Sequence, residues 1–140
     1  MSPKDYYKYR YYMEQPDAET VQVVASVRKD IDKYLIPHLP FKTYIIDFVS
    51  GIRYLGMYIH DSAKKCPIVL LSMNQIRKGC KKYDLHLGMG VETTIVHELG
   101  HAFQDWHDIP ANEEEAETFA REFHDFRDCV LPVISSKASV

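Results

Sequence analysis

Cysteine is scarce in this 140-residue chain: Cys66, Cys80 and Cys129 are the only three, and no two of them form a CxxC pair. That excludes a thiolate zinc finger and a dithiol redox motif, and the odd, scattered set fits reduced thiols that serve packing. Long apolar runs are missing as well. None approaches the ~18 residues of a membrane span, and the opening MSPKDYYKYRYY lacks the apolar core of a signal peptide. The expectation is a cytoplasmic protein with no membrane partner. Positive charge is not in surplus either: 17 Lys plus Arg face 20 Asp plus Glu, a formal net charge of -3, which argues against a nucleic-acid partner. With six glycines, no Gly/Ser linker and no internal repeat, residues 1–140 read as a single domain.

What is present comes in short elements cut by turn clusters. Five of the ten tyrosines crowd into Lys4–Met13, so residues 1–16 read as a tyrosine-rich arm, either a strand or a packing segment that covers a cleft or a partner. From Asp17 to Leu35, Val21, Val24, Val27, Ile31 and Leu35 recur at threes and fours, the face of a helix that Pro37 closes. Thr43–Val49, Tyr54–His60 and Pro67–Ser72 are rich in β-branched and aromatic residues. They predict a small three-stranded sheet, read as an antiparallel meander with a mixed sheet as the variant. A connection containing Gly79 and the stretch Leu85–Gly90 leads to a helix over Val91–Trp106. Asp108–Ala111 breaks that helix, and a last one is predicted over Asn112–Cys129, before Pro132 and a polar tail at 133–140. This order defines an α+β domain with an N-terminal supporting helix. Met57, Met73 and Met89 read as core filler, and His38 and His60 have no partner pattern.

Charge is unevenly spread. Residues 104–128 hold two basic and nine acidic side chains, a local balance of -7, just after His97-Glu98-Leu99-Gly100-His101. Two histidines four apart on a helix present both imidazoles on one face, at a spacing from which they can reach one metal ion. Glu98 sits about 100° round the helix, where its carboxylate can touch a water in the metal's open position. This is the HExxH arrangement of zinc peptidases. The preceding Val91–Val96 segment is mostly uncharged, so the helix suits burial, and buried histidines need partners. A catalytic zinc site with two histidines needs a third protein ligand. With Asn112 or Asp108 as cap, a helix, a tight turn and an antiparallel helix bring Glu113 back beside His101, with Glu115 at the capping-box position. Glu117, one turn on, is placed to accept the outer N–H of a ligand histidine. Ala116, Phe119, Ala120 and Phe123 form the apolar stripe of this helix, and His124 shares the face of Glu113 but lies too far along it to be a ligand.

The pattern His97–His101 followed by Glu113-Glu114-Glu115-Ala116-Glu117-Thr118-Phe119-Ala120 resembles the gluzincin pattern HExxH then Glu-x-x-Ala-[Asp/Glu]-x-Phe-Ala. It resembles in particular the minigluzincins and the ImmA/IrrE-type peptidases, over about 30 residues. The resemblance implies a zincin-like fold and one catalytic zinc ion held by His97, His101 and Glu113. It implies Glu98 as general base and acid, Glu117 as the carboxylate behind the ligands, and a protein or peptide substrate. Glu114 replaces Glu113 if the helix is rotated. His107 is a second alternative ligand, at the spacing of the metzincin third histidine, but Gln104 stands where that motif turns on Gly, and no methionine follows residue 89 to form a Met-turn. His86 and Tyr83 are candidate oxyanion donors, and Pro67–Ser72 is the expected edge strand for an extended substrate. The alternative to a zinc metallopeptidase is a non-catalytic, zinc-containing module of the same fold that binds a partner. The sequence leaves the oligomeric state open.

Overall fold

In the computed structural model, which describes residues 12–61 and 66–138, Asp17 opens the first helix by accepting the Thr20 N–H at 2.8 Å. Helix α1 spans Ala18–Asp30 and turns Val24 and Val27 inward. It widens into a π-turn over Ile31–Leu35 and ends in a 3₁₀ turn, Ile36–His38, around Pro37. The ring fixes φ and removes an N–H, so the helix stops where the sequence places its end.

Three strands follow: β1 at Ile45–Phe48, β2 at Gly56–Asp61 and β3 at Cys66–Leu71. Their order is β1-β3-β2, with β1 parallel to β3 and β2 antiparallel to it, so the sheet is mixed and the expected meander is corrected. The reason lies in β3. Its run CPIVLL is buried at every position, as a strand covered on both faces requires, and that places it in the middle. The link from β1 to β2 passes the end of β3, turning at Gly51 with φ 76°. It follows that Pro67–Ser72 is not the edge; β1 and β2 are. The arm is described from Tyr12 onward, where Met13 pairs antiparallel with Val49; residues 1–11 lie outside the described residues.

Helix α2, Met73–Tyr83, occupies the stretch expected as a connection, and α3, Leu87–Trp106, starts four residues earlier than Val91. Met73, Ile76 and Cys80 are the buried face of α2. Gly90 lets α3 cross it closely, because a Cβ there would stand 2.4 Å from Cys80 Sγ. Helix α4 runs over Glu113–Ala138, through Pro132, so the tail expected from residue 133 is helical to Ala138. Proline removes the donor of a single rung, and a helix can continue with one rung missing. No helix among the described residues is long and apolar enough to cross a membrane.

The main core lies between the helices and one face of the sheet, with Ile31, Val69, Leu71, Val91, Ile95 and Leu99 at its centre. Val49, Ile59, Ile68 and Leu70 form a smaller cluster on the other face. Alternation along β3 thus sends Val69 and Leu71 toward the helices and Ile68 and Leu70 away. Cys66 and Cys80 are buried free thiols, and Met73 belongs to the core, as expected of them.

Candidate metal centre

Successive turns of α3 stack His97 and His101 with ring centroids 4.9 Å apart, edge to face. The end of α3 sets where the chain goes next. Asp108 adopts the left-handed conformation at φ 55°, its N–H donating to Asp105 O at 3.1 Å while the Ile109 N–H donates to Gln104 O at 2.8 Å. These two bonds close the helix end and reverse the chain. Asn112 then caps α4, its Oδ1 accepting the Glu115 N–H at 3.0 Å. Gly100 allows the two helices to meet, since a Cβ there would already touch Phe119 at 3.3 Å and Ala116 Cα at 3.4 Å. Ala116, Ala120 and Phe123 are buried against α3, as the apolar stripe requires.

This return brings Glu113 onto the histidine pair. Its Oε2 lies 2.9 Å from His97 Nε2 and its Oε1 2.9 Å from His101 Nε2. Glu98, 8% exposed, lies on the inner side, where α3 crosses the start of β2. Gly56 makes the crossing possible: a Cβ there would stand 2.6 Å from Thr94 Cγ2 and 3.5 Å from Glu98 Cγ. Burial pushes the Glu98 carboxyl up to about 7; His101 works against this, Glu113 with it, and the Tyr58 backbone N–H against it. Tyr58 also donates its hydroxyl to Asp105 at 2.8 Å, so β2 is tied to α3 on both sides of Glu98.

The other sequence candidates separate. Glu114 faces the opposite groove of the α3–α4 pair, with Phe103 and Phe119, so it is not beside the histidines. His107 is the C-terminal cap of α3 and packs its ring on Phe103 at 4.5 Å, away from the pair. The physical cause is the left-handed reversal at Asp108, which leaves His107 at the outer end of the helix. His86 caps the opposite end of α3, about 16 Å along the axis from His97, and Tyr83 is 67% exposed at the end of α2. Neither lines the cavity at the histidines, so both are corrected as oxyanion donors. Glu117 is exposed on the cavity wall. At His101 the bond expected of Glu117 is made by Gln104, whose Oε1 accepts from Nδ1 at 3.0 Å. The sequence did carry a signal for Gln104: it follows His97 and His101 by seven and three residues, on the same helical stripe.

A cavity of about 810 Å³ opens beside the site. Tyr54, Leu55 and Gly56 form one wall, and Glu117, Ala120 and Arg121 another. His124 closes the far end, its Nδ1 in ion-pair contact with buried Glu92 Oε1 at 2.8 Å and its Nε2 2.9 Å from Thr93 Oγ1. His124 is therefore too far along α4 to be a ligand yet faces the same space.

Comparison with protein-family models, curated proteins and solved structures gives no match, so no family is assigned on that ground. The fit to a metal rests on the chemistry of the donors. The nearest ligating atoms of His97, Glu98 and His101 lie within 4.8 Å of one another, and two imidazole nitrogens converge on the two oxygens of one carboxylate. Two imidazoles and a carboxylate that converge in this way are a donor set of the kind that suits zinc.

Proposed function

We propose that the chain is a zinc-dependent metallopeptidase of the gluzincin kind, with a zincin-like fold. The observation that carries this reading is the convergence of His97, His101 and Glu113, with buried Glu98 beside them at the wall of a cavity. His97 and His101 would hold the ion through Nε2 and Glu113 through its carboxylate. When bound, zinc supplies a Lewis acid that acidifies water and polarises a carbonyl.

Glu98 takes the proton from the attacking water and passes it to the departing amine nitrogen. Its raised pKa, about 7, suits a group that must accept and then give up a proton near neutrality. His124 and Arg121, further along α4, line the same cavity and would meet the substrate away from the ion. An extended peptide would lie along β2, the edge strand whose start forms the cavity wall. The largely apolar wall of Tyr54, Leu55 and Ala120 would receive a side chain of the same character.

The test is a Glu98→Gln variant, loaded with zinc and incubated with a mixed peptide library read by mass spectrometry. The wild-type chain should cut the library, and the variant should bind zinc equally and leave the peptides intact. Unchanged cleavage by the variant would falsify this mechanism. Zinc uptake by both with no cleavage by either, over the whole library, would favour the partner-binding alternative.

A further inference from the structure

Gln104 is 4% exposed, and both of its polar atoms are engaged. Its Nε2 donates to the Asn112 carbonyl at 3.0 Å, and its Oε1 accepts the Asn112 N–H at 3.2 Å as well as His101 Nδ1 at 3.0 Å. The backbone of Asn112 decides which end of the carboxamide is oxygen. A flipped amide would set NH₂ against N–H and oxygen against carbonyl, two repulsions in place of two bonds. A carboxamide oxygen can only accept, so the hydrogen between Oε1 and His101 belongs to Nδ1. That leaves Nε2, 2.9 Å from Glu113 Oε1, as the nitrogen whose lone pair a bound ion would take.

The same side chain grips the residue that starts α4. Asn112 directly precedes Glu113, and the reversal between α3 and α4 is a short exposed loop held at its α3 end by the bonds to Asp105 and Gln104. A turn of α4 by about 100° would exchange Glu113 for Glu114. The two Asn112 bonds fix that rotation at its origin.

We propose that Gln104 is the positioning residue of the metal centre: one buried carboxamide holds His101 as the Nδ1–H tautomer and locks the rotation of α4, so that ligands from two helices are set together. The inference rests on the reading of His97, His101 and Glu113 as metal ligands.

Two measurements on the full chain test it. Long-range ¹H–¹⁵N spectra of the zinc-loaded protein read which nitrogen of His101 carries hydrogen and which is bound to the ion. Competition against a chromogenic chelator reads zinc affinity. The wild-type chain should show Nδ1–H at His101. Gln104→Met should leave the His101 Nδ1–H without its acceptor, seen as faster exchange of that hydrogen, and weaken zinc binding about 10–100-fold. Gln104→Glu keeps an oxygen toward His101 and the Asn112 N–H but sets its second oxygen against the Asn112 carbonyl, so it should hold the Nδ1–H form and lose less zinc affinity than Gln104→Met while loosening the start of α4.

Wild-type His101 in the Nε2–H form overturns the proposal without any variant having to fold. So does unchanged zinc affinity in Gln104→Met. Equal losses of affinity and thermal stability in Gln104→Glu and Gln104→Met reduce Gln104 to a structural tie and also overturn it. A wild-type chain that takes up no zinc overturns the ligand reading beneath the proposal. The wrong tautomer in a zinc-binding chain overturns the proposal alone.

Discussion

Glu113 and Glu114 are neighbours of identical chemistry, and α4 sends them to opposite sides. Glu113 meets the two imidazoles at 2.9 Å, whereas Glu114 lines the groove with Phe103 and Phe119. About 100° of helix rotation separates the proposed metal ligand from a solvated acid. Removal of the Glu113 carboxylate should therefore weaken zinc by roughly a hundredfold or more, and removal of the Glu114 carboxylate should leave affinity within about twofold. Glu113→Ala and Glu114→Ala, titrated in parallel with zinc against the same chelator, separate the two. A larger loss in Glu114→Ala would assign the third ligand to the wrong residue. The same scale explains why Glu98 differs from both. It faces β2 rather than water, and burial lifts its carboxyl to about 7 while the exposed acids of α4 stay solvated.

The position of these residues depends on how the elements meet, and two glycines of α3, Gly90 and Gly100, let it approach the neighbouring helices. Gly90 passes Cys80 so closely that a methyl group would stand 2.4 Å from Sγ and 3.2 Å from Ile76 Cγ2. Alanine normally favours a helix over glycine by about 1 kcal/mol, but overpacking here should cost about 1–3 kcal/mol and outweigh that gain. Urea unfolding of Gly90→Ala should show the loss, and Gly90→Ala with Cys80→Ala should recover most of it, a non-additive pair. Additive losses would mean that the two residues are not in contact.

Asn112 is the corresponding control on α4. Asn112→Ala should cost about 1 kcal/mol by loss of the cap. It should weaken zinc by much less than Glu113→Ala, because the backbone bonds to Gln104 persist; chelator competition checks this. An equal loss would make the cap, rather than the carboxamide, the support of Glu113.

Elements of this kind were largely legible in the sequence, because period and capping are local. The start of α1 at Asp17, the strand runs and the break at Asp108–Ala111 all follow from neighbours in the chain. Strand order did not, since it depends on which run is covered on both faces, and nothing local in the evenly apolar run of β3 tells a central strand from an edge. Helix α2 was hidden by Gly79 and by its basic residues, although Met73, Ile76 and Cys80 carry the helical spacing. The histidine pair and Glu113 were legible as a spacing, whereas Gln104 acquires a role only once α4 has folded back on it.

At the scale of the whole molecule, the candidate centre joins the two helices that the acidic segment would otherwise drive apart. Glu113 is close enough to Glu98 to disfavour its charge, and residues 104–128 carry a balance of -7. In the metal-free chain that repulsion is opposed by the Gly100 crossing, the Asn112–Gln104 bonds and the apolar stripe of α4. A divalent cation between α3 and α4 should reverse the sign of the local electrostatics, and it binds only where the helices are already docked. Linkage then requires zinc to stabilise the fold by RT ln(1 + [Zn]/Kd), about 4 kcal/mol at a thousandfold excess over Kd, a rise in melting temperature of roughly 10–15 °C. The effect is best read by calorimetry on Glu98→Gln, in which the proposed hydrolysis cannot compete. Addition of a strong chelator should return the melting temperature to the metal-free value, and Glu113→Ala should show little response to either reagent. A melting temperature that ignores zinc and chelator alike would mean that the two helices are docked by packing alone and that no resident ion completes the fold.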